Sequence, residues 1–570
     1  MLGAIAAFYI LPQNGPVGWT VKSALLAAFA VAVFAYSIYR SGRARPAAVA
    51  PAAAIFGIAA LSLAASFDPA RSLVQVLILS GLAGTVLLGK IRVDSGRLAG
   101  VIIALAVVES VIGNLYPASR VSGTFVNANH HAALVATGYA VALAVMVSSR
   151  GSGRFWFGIL QFVLLAAAAK SQSRALLVAC PAALLSLALF RPRGFNRRTW
   201  MVAAALAAVC LAAPGGPVGR LADQAEGREG FAWTRLGLWK ASLAMIRSRP
   251  LTGVGPGAFG DSFPRFRSAE FARYTSDYAH SEPLQALCEL GIPGTGLLLW
   301  GLACWWRRVP VSNVISPSAG GLAGALLVLA VFGLTDFPAH VPVLLVIAFA
   351  AALGLASRPR RNQGRSGPPA VPGRALAGIT AAFLFMIGLV AASDIAYGRG
   401  ALLAQSGDTA RARESFRRVL RMAPWHAPAL AALAELDPTG PRSGEMLASA
   451  VRLRPAWLAP VLTGFERCRL LGDEHGMRAS LARAEWLDPH GLEPALLRVR
   501  LLGATGDMDA AWSLLGSVER RWGGNLDVVV EKARLQMRSG RKAEAIRTLE
   551  HILRAIPGHV LAREWLRRMR

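Results

Sequence analysis

Twelve strongly apolar stretches recur along the sequence, and they limit its fold more than any other feature. Each comes near the roughly 20 residues that an α-helix needs to cross a bilayer. Because lipid satisfies no backbone polar group, such stretches predict helices, whose hydrogen bonds are internal. We therefore expect an all-α, polytopic membrane helical bundle of about 12 spans. The stretches lie at about residues 18–39, 47–66, 72–89, 98–115, 131–148, 155–169, 175–190, 199–213, 284–306, 319–335, 341–357 and 375–393.

A shorter apolar segment, residues 1–11, comes before the first predicted span. It has no basic N-terminal region and no small-x-small cleavage site, which argues against a signal peptide. We interpret it as a shortened or re-entrant helix.

The chain is strongly basic, with 61 Lys and Arg against 32 Asp and Glu and a net charge of +29. Such a charge is compatible with nucleic-acid binding, but a hydrophobic content of 54% argues against that class. Cytoplasmic loops of membrane proteins also collect basic residues without matching acids. We therefore expect no nucleic-acid partner.

The basic residues also predict the orientation of the spans. Alternate loops between the predicted spans fall into two sets, one rich in Lys and Arg and one poor in them. The short loops of the poor set hold only Arg71, Arg120, Lys170 and Arg174. The rich set is therefore assigned to the cytoplasm. In the inner membrane of a bacterium, residues 116–130, the long loop 214–283 and everything after residue 393 then face the periplasm. The rich set contains Arg40, Arg43, Arg45, Lys90, Arg92, Arg97, Arg150, Arg154, Arg191, Arg193, Arg197, Arg198, Arg307, Arg308, Arg358, Arg360, Arg361, Arg365 and Arg374.

The composition changes near residue 393 and divides the chain into a membrane domain, 1–393, and a tail, 394–570. The tail has a period near 34 residues, with a turn glycine inside each repeat and a proline after its second helix. This pattern resembles tetratricopeptide repeats in about four or five divergent copies; the alternative is a generic helical domain. Either predicts a surface for a protein partner or a spacer. The glycines are Gly407, Gly440, Gly472, Gly506 and Gly540, and the prolines are Pro424, Pro455, Pro489 and Pro557.

Five cysteines are scattered without Cys-x-x-Cys spacing, and we interpret them as packing residues. No Asp-x-Asp pair lies in the predicted outer loops. We therefore expect no disulfide, no metal ion and no cofactor.

Two polar groups interrupt the apolar pattern on the predicted outer face. The run Ser-Gly-Thr-Phe-Val-Asn-Ala-Asn-His-His covers residues 122–131, where Asn127, Asn129 and His130 offer uncharged groups that suit hydroxyl-rich ligands; the alternative is a helix N-cap. The run Lys-Ser-Gln-Ser-Arg covers residues 170–174, and Arg174 starts an apolar helix with no acid nearby. Such an arginine either reaches lipid phosphates or binds an anionic ligand.

A third group lies in the long loop, where residues 231–246 show the apolar spacing of an interfacial amphipathic helix. Arg235 and Lys240 then lie at the level of lipid phosphates or of a lipid-linked pyrophosphate, which the planar guanidinium binds bidentately. Glycines in residues 251–259 lack the Gly-Lys-Ser/Thr ending of a nucleotide loop and predict a tight turn.

The fourth group covers residues 277–292. Ser281 is placed to cap a helix that ends at Gly291 and Pro293. His280 then lies just outside a helix start at the membrane surface, where a neutral imidazole accepts a proton from a sugar hydroxyl near neutral pH. The alternative is a structural histidine.

Taken in order, these motifs resemble the O-antigen ligase and polymerase superfamily. They read Gly-Thr-Phe-x-Asn-x-Asn-His, Ser-x-Ser-Arg, Arg-x-x-x-Trp-x-x-Ser-x-x-Met-Ile-x-x-x-Pro-Leu-x-Gly-x-Gly-Pro-Gly-x-Phe, and His-Ser-x-x-Leu-Gln-x-Leu-x-Glu-Leu-Gly-Ile-x-Gly. The close resemblance covers about residues 120–300.

The resemblance implies a metal-independent membrane glycosyltransferase of the C-type architecture that uses an undecaprenyl-pyrophosphate-linked glycan at the periplasmic face. It implies donor-pyrophosphate arginines at Arg174 and Arg235 and an essential histidine at His280. We add Asn127, Asn129, His130, Lys240 and Glu282 as candidate substrate-binding residues. The acceptor is a glycan, lipid A core or a protein.

Two other functions stay open at this point. A lipid-linked glycan transporter or flippase would place ionisable residues near the bilayer midplane, yet among acids the span interiors hold almost only Glu109. A membrane-anchored scaffold would need only one span, whereas about twelve are predicted. The scarcity of acids inside the spans and the number of spans both favour an enzyme that acts at one membrane face.

Overall fold

The computed structural model describes residues 16–41, 65–88, 91, 93–115, 120–125, 127–213, 215–225, 231–310, 316–356 and 373–569. The predicted segment 1–11 and most of the predicted span 47–66 lie outside these residues. All regular elements within the described ranges are helical. The prediction of an all-α chain is confirmed.

The chain divides into two compact units. The first unit contains Met1–Phe259 and Asp277–Ile395, and the second contains Gly260–Ser276 and Ala396–Arg570. The long loop before His280 therefore contributes a segment to the second unit.

The first unit is built mainly from apolar helices, and eleven of the twelve predicted stretches lie in them. Its helices are α1 Pro16–Ser41, α2 Pro69–Leu88, α3 Ser95–Leu115, α4 Ala128–Ser148, α5 Gly151–Lys170, α6 Leu176–Phe190, α7 Arg197–Ala212, α8 Pro217–Ala225, α9 Phe231–Ser248, α10 Phe259–Phe266, α11 Glu282–Trp306, α12 Pro317–Thr335, α13 Pro342–Ala356 and α14 Gly373–Gln405. Because the unit boundaries at Phe259 and Ile395 fall in α10 and α14, only the first residue of α10 belongs to this unit, and the end of α14 belongs to the second.

Six of the described helices are long and apolar enough to cross a membrane. Further apolar helices in the first unit are shorter than 18 residues, for example Leu176–Leu189 and Pro342–Ala356. The chain is therefore a helical, multi-pass membrane protein, while the number of twelve spans stays a prediction. The six are Ser95–Leu115, Ala128–Ser148, Gly151–Lys170, Glu282–Trp306, Pro317–Thr335 and Ile387–Gln405.

Helix α4 is the central element of the first unit. It packs against α3, α5, α6 and α12, and nearly all of its residues are buried. Small residues allow this close packing, as is common between helices in membranes. A Cβ added to Gly138 would lie 2.2 Å from the Ala106 Cβ of α3, and one added to Gly321 of α12 would lie 2.9 Å from the Val141 Cα.

The glycine-rich segment 251–258 packs on a break in α11. Gly291 has φ 68° and ψ −178° and interrupts that helix. The break lies at the residue where the sequence predicts a helix end. The freed backbone groups receive partners from the turn: Val254 N donates to Cys288 O, and Ile292 N donates to Pro250 O. A Cβ at Gly253 (φ 64°) would lie 2.3 Å from Glu289 O, so this turn requires glycine for packing.

The second unit contains consecutive helices that pack against their neighbours in sequence. Glycines at the predicted turns Gly407, Gly472, Gly506 and Gly540 have positive φ values between 71° and 92°, which end the first helix of each hairpin. The helical hairpins follow the predicted period, and their assignment as tetratricopeptide repeats stays a prediction. The helices of this unit after α14 are α15 Thr409–Met422, α16 Ala427–Leu436, α17 Ser443–Leu453, α18 Ala459–Leu471, α19 Glu474–Leu487, α20 Leu492–Thr505, α21 Met508–Trp522, α22 Leu526–Arg538, α23 Lys542–Ala555 and α24 Val560–Met569.

The packing of α4 on α3 gives a testable prediction. Gly138→Ala overfills the contact with Ala106 and is expected to cost about 1–3 kcal/mol of folding free energy. Gly100→Ala on α3 is the matched control, because its Cβ would meet nothing within 4 Å. Thermal unfolding in detergent measures both variants, and equal melting temperatures would contradict the proposed contact.

Candidate functional site

The N-terminus of α4 carries the first site residues. Asn127 is the N-cap, and its side chain accepts a hydrogen bond from Asn129 N at 2.9 Å. Both polar atoms of the Asn129 side-chain amide are hydrogen-bonded. Nδ2 donates to Asp336 Oδ2 at 2.6 Å, and Oδ1 accepts from Arg120 Nη2 at 3.4 Å. Asn127 therefore caps the helix, and this role is compatible with its predicted role in ligand binding.

A buried acid holds the chain that enters α4. Glu109 Oε1 lies 2.9 Å from His131 Nδ1 and accepts from Thr124 N at 2.9 Å, while Oε2 accepts from Thr124 Oγ1 at 2.8 Å. Gly123 has φ 56°, and a Cβ there would lie 1.9 Å from Glu109 Oε1. This network explains the Gly-Thr and His-His parts of the motif as supports for Asn127 and Asn129.

Arg174 lies in the short turn before α6, close to the positive end of that helix dipole. The turn has a left-handed residue, Gln172, with φ 54°. The carbonyl of Gln172 accepts a hydrogen bond from Arg220 Nη1 at 3.2 Å. Arg220 belongs to α8 and is only 7% exposed, so a second arginine is fixed beside the turn.

Arg235 lies on α9 and is the third arginine of this region. Burial lowers the pKa of its guanidinium from the ordinary value; Asp336 raises that pKa, and the positive charge of Arg220 lowers it. Arg235, Arg220 and Asp336 therefore share one electrostatic environment. An anion placed there would relieve the repulsion between Arg235 and Arg220.

His280 is held by the start of α11. It has φ 50°, a left-handed conformation that is uncommon outside glycine. The preceding amide, Ala279 N, donates to Gln285 Oε1 at 2.7 Å, and Gln285 Nε2 donates to Glu289 Oε1 at 2.7 Å. Ser281 occupies the N-cap position, but its side chain makes no capping hydrogen bond.

Asp336 brings His280 and His130 together. Its Oδ1 lies 3.3 Å from His280 Nδ1 and 3.7 Å from His130 Nε2, and the residue is 1% exposed. Burial by itself raises the pKa of the Asp336 carboxyl, but the two imidazoles lower it well below its usual range. Asp336 is thus ionised at neutral pH.

Phe337 packs against both histidines and completes this cluster. Its ring centroid lies 4.8 Å from that of His130 and 4.9 Å from that of His280, both edge to face. On Tyr278 it stacks at 4.3 Å. These contacts limit the rotation of the imidazole rings.

Glu282 ties the Asp336 loop to the start of α11. Its Oε1 accepts from Ala339 N at 2.7 Å, and its Oε2 lies 3.3 Å from His340 Nδ1. The loop therefore has its own anchor on the helix that follows His280.

Several of these residues line one cavity in the first unit. Of the predicted residues it contains Asn127, Asn129, Arg174, Arg235 and His280, and His130 adjoins it through Asp336. Lys240 is exposed on α9, and Glu282 lies outside the lining. The full lining is Arg120, Asn127, Asn129, Ser173, Arg174, Ala175, Arg220, Arg235, His280, Phe332, Thr335 and Asp336.

Sequence reasoning missed Arg120, Arg220 and Asp336 as site residues. Arg120 was visible as one of the few basic residues in the predicted outer loops. Asp336 was also visible, as an acid between two apolar stretches on the predicted outer side. Arg220 carried no signal of its own beyond lying in the long loop.

Four arginines and one carboxylate give the cavity an excess of positive charge. Arginine donates in a planar fork that matches phosphate oxygens, and the asparagines add neutral donors and acceptors. Among the described residues, no group of three or more His, Cys, Asp or Glu side chains is arranged to hold a metal ion. The arrangement is suited to an anionic, hydroxyl-bearing ligand.

Comparisons with known proteins include a match to a protein family. The family described as O-antigen ligase matches residues 159–299, a range that contains Arg174, Arg220, Arg235 and His280. No curated protein matches the chain. The crystal structure of yeast Tom70 aligns at 12% identity over 86% of this chain and 91% of its own, but its TM-score of 0.23 is too low to indicate a shared fold.

The pair of His340 and Glu282 predicts a pH-dependent stability. Burial alone would lower the pKa of His340, but the charge and hydrogen bond of Glu282 raise it above the ordinary 6.5. A raised folded-state pKa gives stability that is fully present below the unfolded pKa and is lost as the pH rises through the folded pKa. Between about pH 6 and pH 9, the wild-type melting temperature should therefore fall more steeply than that of Glu282→Gln. Parallel melting curves for the two proteins would show that the pair does not titrate in this way.

Proposed function

We propose that this protein is a glycosyltransferase of the O-antigen ligase type, which transfers a glycan from an undecaprenyl-pyrophosphate donor to an acceptor hydroxyl. The reaction takes place at the periplasmic face of the bacterial inner membrane, and the C-terminal domain lies on the same side. The observation that carries the proposal is one cavity lined by four arginines and by the His280–Asp336 pair. The family match over residues 159–299 supports it.

The arginines bind the donor through its pyrophosphate. Arg174 and Arg235 provide charge-assisted, bidentate hydrogen bonds, and Arg120 and Arg220 extend the positive surface. When the sugar–oxygen bond breaks, negative charge grows on the leaving lipid pyrophosphate. Donors already fixed around that oxygen lower the energy of the transition state without reorganising.

His280 acts on the acceptor. Its Nδ1 faces Asp336, so the carboxylate favours the tautomer that carries the proton on Nδ1 and leaves Nε2 as an acceptor. Nε2 takes the proton of the acceptor hydroxyl while the hydroxyl oxygen bonds to the anomeric carbon. The bond from that carbon to the pyrophosphate oxygen breaks, and its electron pair leaves with the lipid pyrophosphate. No step requires a metal ion or a cofactor.

The neutral polar groups bind sugar hydroxyls. Asn127 and Asn129 line the cavity beside Arg120, and His130 lies against Asp336. Lys240, which lies outside the lining, is assigned to outer parts of the glycan or to lipid headgroups. Glu282 also lies outside the lining and supports the site through the loop that carries Asp336.

The experiment that tests this function is deletion followed by surface-glycan analysis. A ligase predicts uncapped lipid A core with accumulated lipid-linked polymer, whereas a polymerase predicts single repeat units on the core. A protein glycosylating enzyme predicts loss of glycan from a protein with the lipopolysaccharide unchanged. We expect the ligase pattern, because the matched family is described by that activity.

Rescue with variants tests the residues. Arg235→Ala, Arg174→Ala and Arg220→Ala should each lower transfer about 10²–10³-fold, the loss that follows removal of one transition-state donor. His280→Ala should lower it about 10²–10⁴-fold through loss of the base. Arg247→Ala is the matched control, since Arg247 is exposed on the same helix as Arg235. Full rescue by the cavity variants at normal protein levels would contradict the site.

Asp336→Asn tests the positioning of His280. The amide has nearly the same shape but lacks the charge, so the imidazole loses the partner that selects its tautomer. We expect turnover to fall about 10²–10⁴-fold, with little change in KM for the donor. A variant that instead raises KM and leaves turnover at the wild-type value would contradict this positioning role.

A further inference from the structure

The segment Gly260–Ser276 belongs to the second unit although it lies in the loop before His280. It is short, begins with part of α10 and contains a 3-10 turn, Ala269–Phe271. Within the second unit it contacts three successive helical hairpins. The contacts are ion pairs, cation–π stacks and backbone hydrogen bonds, which together are specific for these side chains.

The first contact joins Asp261 to the end of α17. Asp261 Oδ2 lies 2.5 Å from Arg454 Nη2, and both side chains are mostly buried. The guanidinium of Arg454 also lies 4.7 Å from the ring centroid of Trp457. Stacking and pairing at once hold this arginine in one orientation.

The second contact is the most buried ion pair of the segment. Arg267 Nη2 lies 2.5 Å from Asp488 Oδ2, and the two side chains are 5% and 3% exposed. Arg267 Nη1 also donates to Tyr274 O at 2.7 Å, which closes the segment on itself. Beside this pair, Arg265 stacks on Trp486 with its guanidinium carbon 3.5 Å from the ring centroid.

The third contact is at the end of α21. Arg521 Nη2 donates to Ala269 O at 2.6 Å, and Arg273 donates in return to Arg521 O. Arg273 also lies over Trp522, 5.4 Å from its ring centroid. Exposed cation–π contacts contribute little alone, so this end of the segment is held less firmly than its middle.

The three contact points follow the repeat period. Arg454, Asp488 and Trp522 are separated by 34 residues in each step, and the first two directly precede Pro455 and Pro489. The order of the contacts along the segment is the order of the hairpins along the chain. Equivalent positions of successive repeats therefore form one continuous site, as in the peptide-binding surfaces of stacked repeats.

We propose that the repeat domain is a clamp for the protein's own segment Gly260–Ser276, and that the clamp positions His280. The second half rests on the proposed function. Tyr274, whose carbonyl accepts from Arg267, is six residues before His280, so the clamped end limits the histidine to within about 22 Å of chain. Binding inside one chain needs no free partner and has a high effective concentration.

Chymotrypsin digestion of the full-length protein in detergent tests the clamp. Its sites Phe266, Phe271 and Tyr274 lie in the segment and are unchanged in the variants. Asp488→Ala should raise cleavage there by tenfold or more, since it leaves Arg267 buried without its charge partner. Glu474→Ala is the matched control, because it removes an exposed ion pair with Arg478 on the same helix as Trp486.

The charge exchange Arg267→Asp with Asp488→Arg should restore protection relative to either single variant. Wild-type cleavage in Asp488→Ala would overturn the clamp. If Asp488→Ala is instead cleaved throughout residues 396–570, Arg265→Gln and Arg267→Gln decide in the same assay, because they alter only the segment. Protection of the segment in both would also overturn it.

Transfer from purified undecaprenyl-pyrophosphate glycan tests the positioning of His280. Asp488→Ala should lower turnover about tenfold while KM for the donor stays near the wild-type value, and the charge exchange should recover turnover. Unchanged turnover with a released segment would overturn the positioning role. If the wild type shows no transfer, the proposed function fails, and the protease result still decides the clamp.

Discussion

The carboxylate of Asp336, buried among imidazoles and arginines, is the interaction on which the site depends. A buried carboxylate is costly unless charges and hydrogen bonds compensate it, and Asn129, His130 and His280 supply these partners. In return Asp336 fixes their positions. Its single negative charge offsets only part of the positive charge of the lining arginines, so the cavity keeps its attraction for a phosphate-bearing ligand.

Three further networks hold the elements that carry these side chains. Glu109 fixes the entry of α4, Gln285 fixes the amide before His280, and Glu282 fixes the loop that carries Asp336. Each joins a helix side chain to a backbone amide of a loop, at Thr124, Ala279 and Ala339. Since hydrogen bonds are strong in a low dielectric, these networks give the site a defined geometry.

In the second unit, equivalent positions of successive repeats bind one segment of the same chain. Residues at the ends of its second helices meet the protein's own segment instead of solvent. The array of hairpins gives this segment a rigid support, because each hairpin is fixed by its neighbours.

The sequence by itself determined the helices, the cap at Asn127, the break at Gly291 and the turn glycines of the hairpins. These features depend on the hydrophobic period and on backbone conformations that a few neighbouring residues decide. It also singled out Arg174, Arg235 and His280 as candidates. Only the tertiary structure decided that Arg220 and Asp336 line the same cavity, that Lys240 and Glu282 do not, and that Gly260–Ser276 joins the second unit. These placements join residues that lie up to 252 positions apart, and only the packing of whole helices brings such residues together.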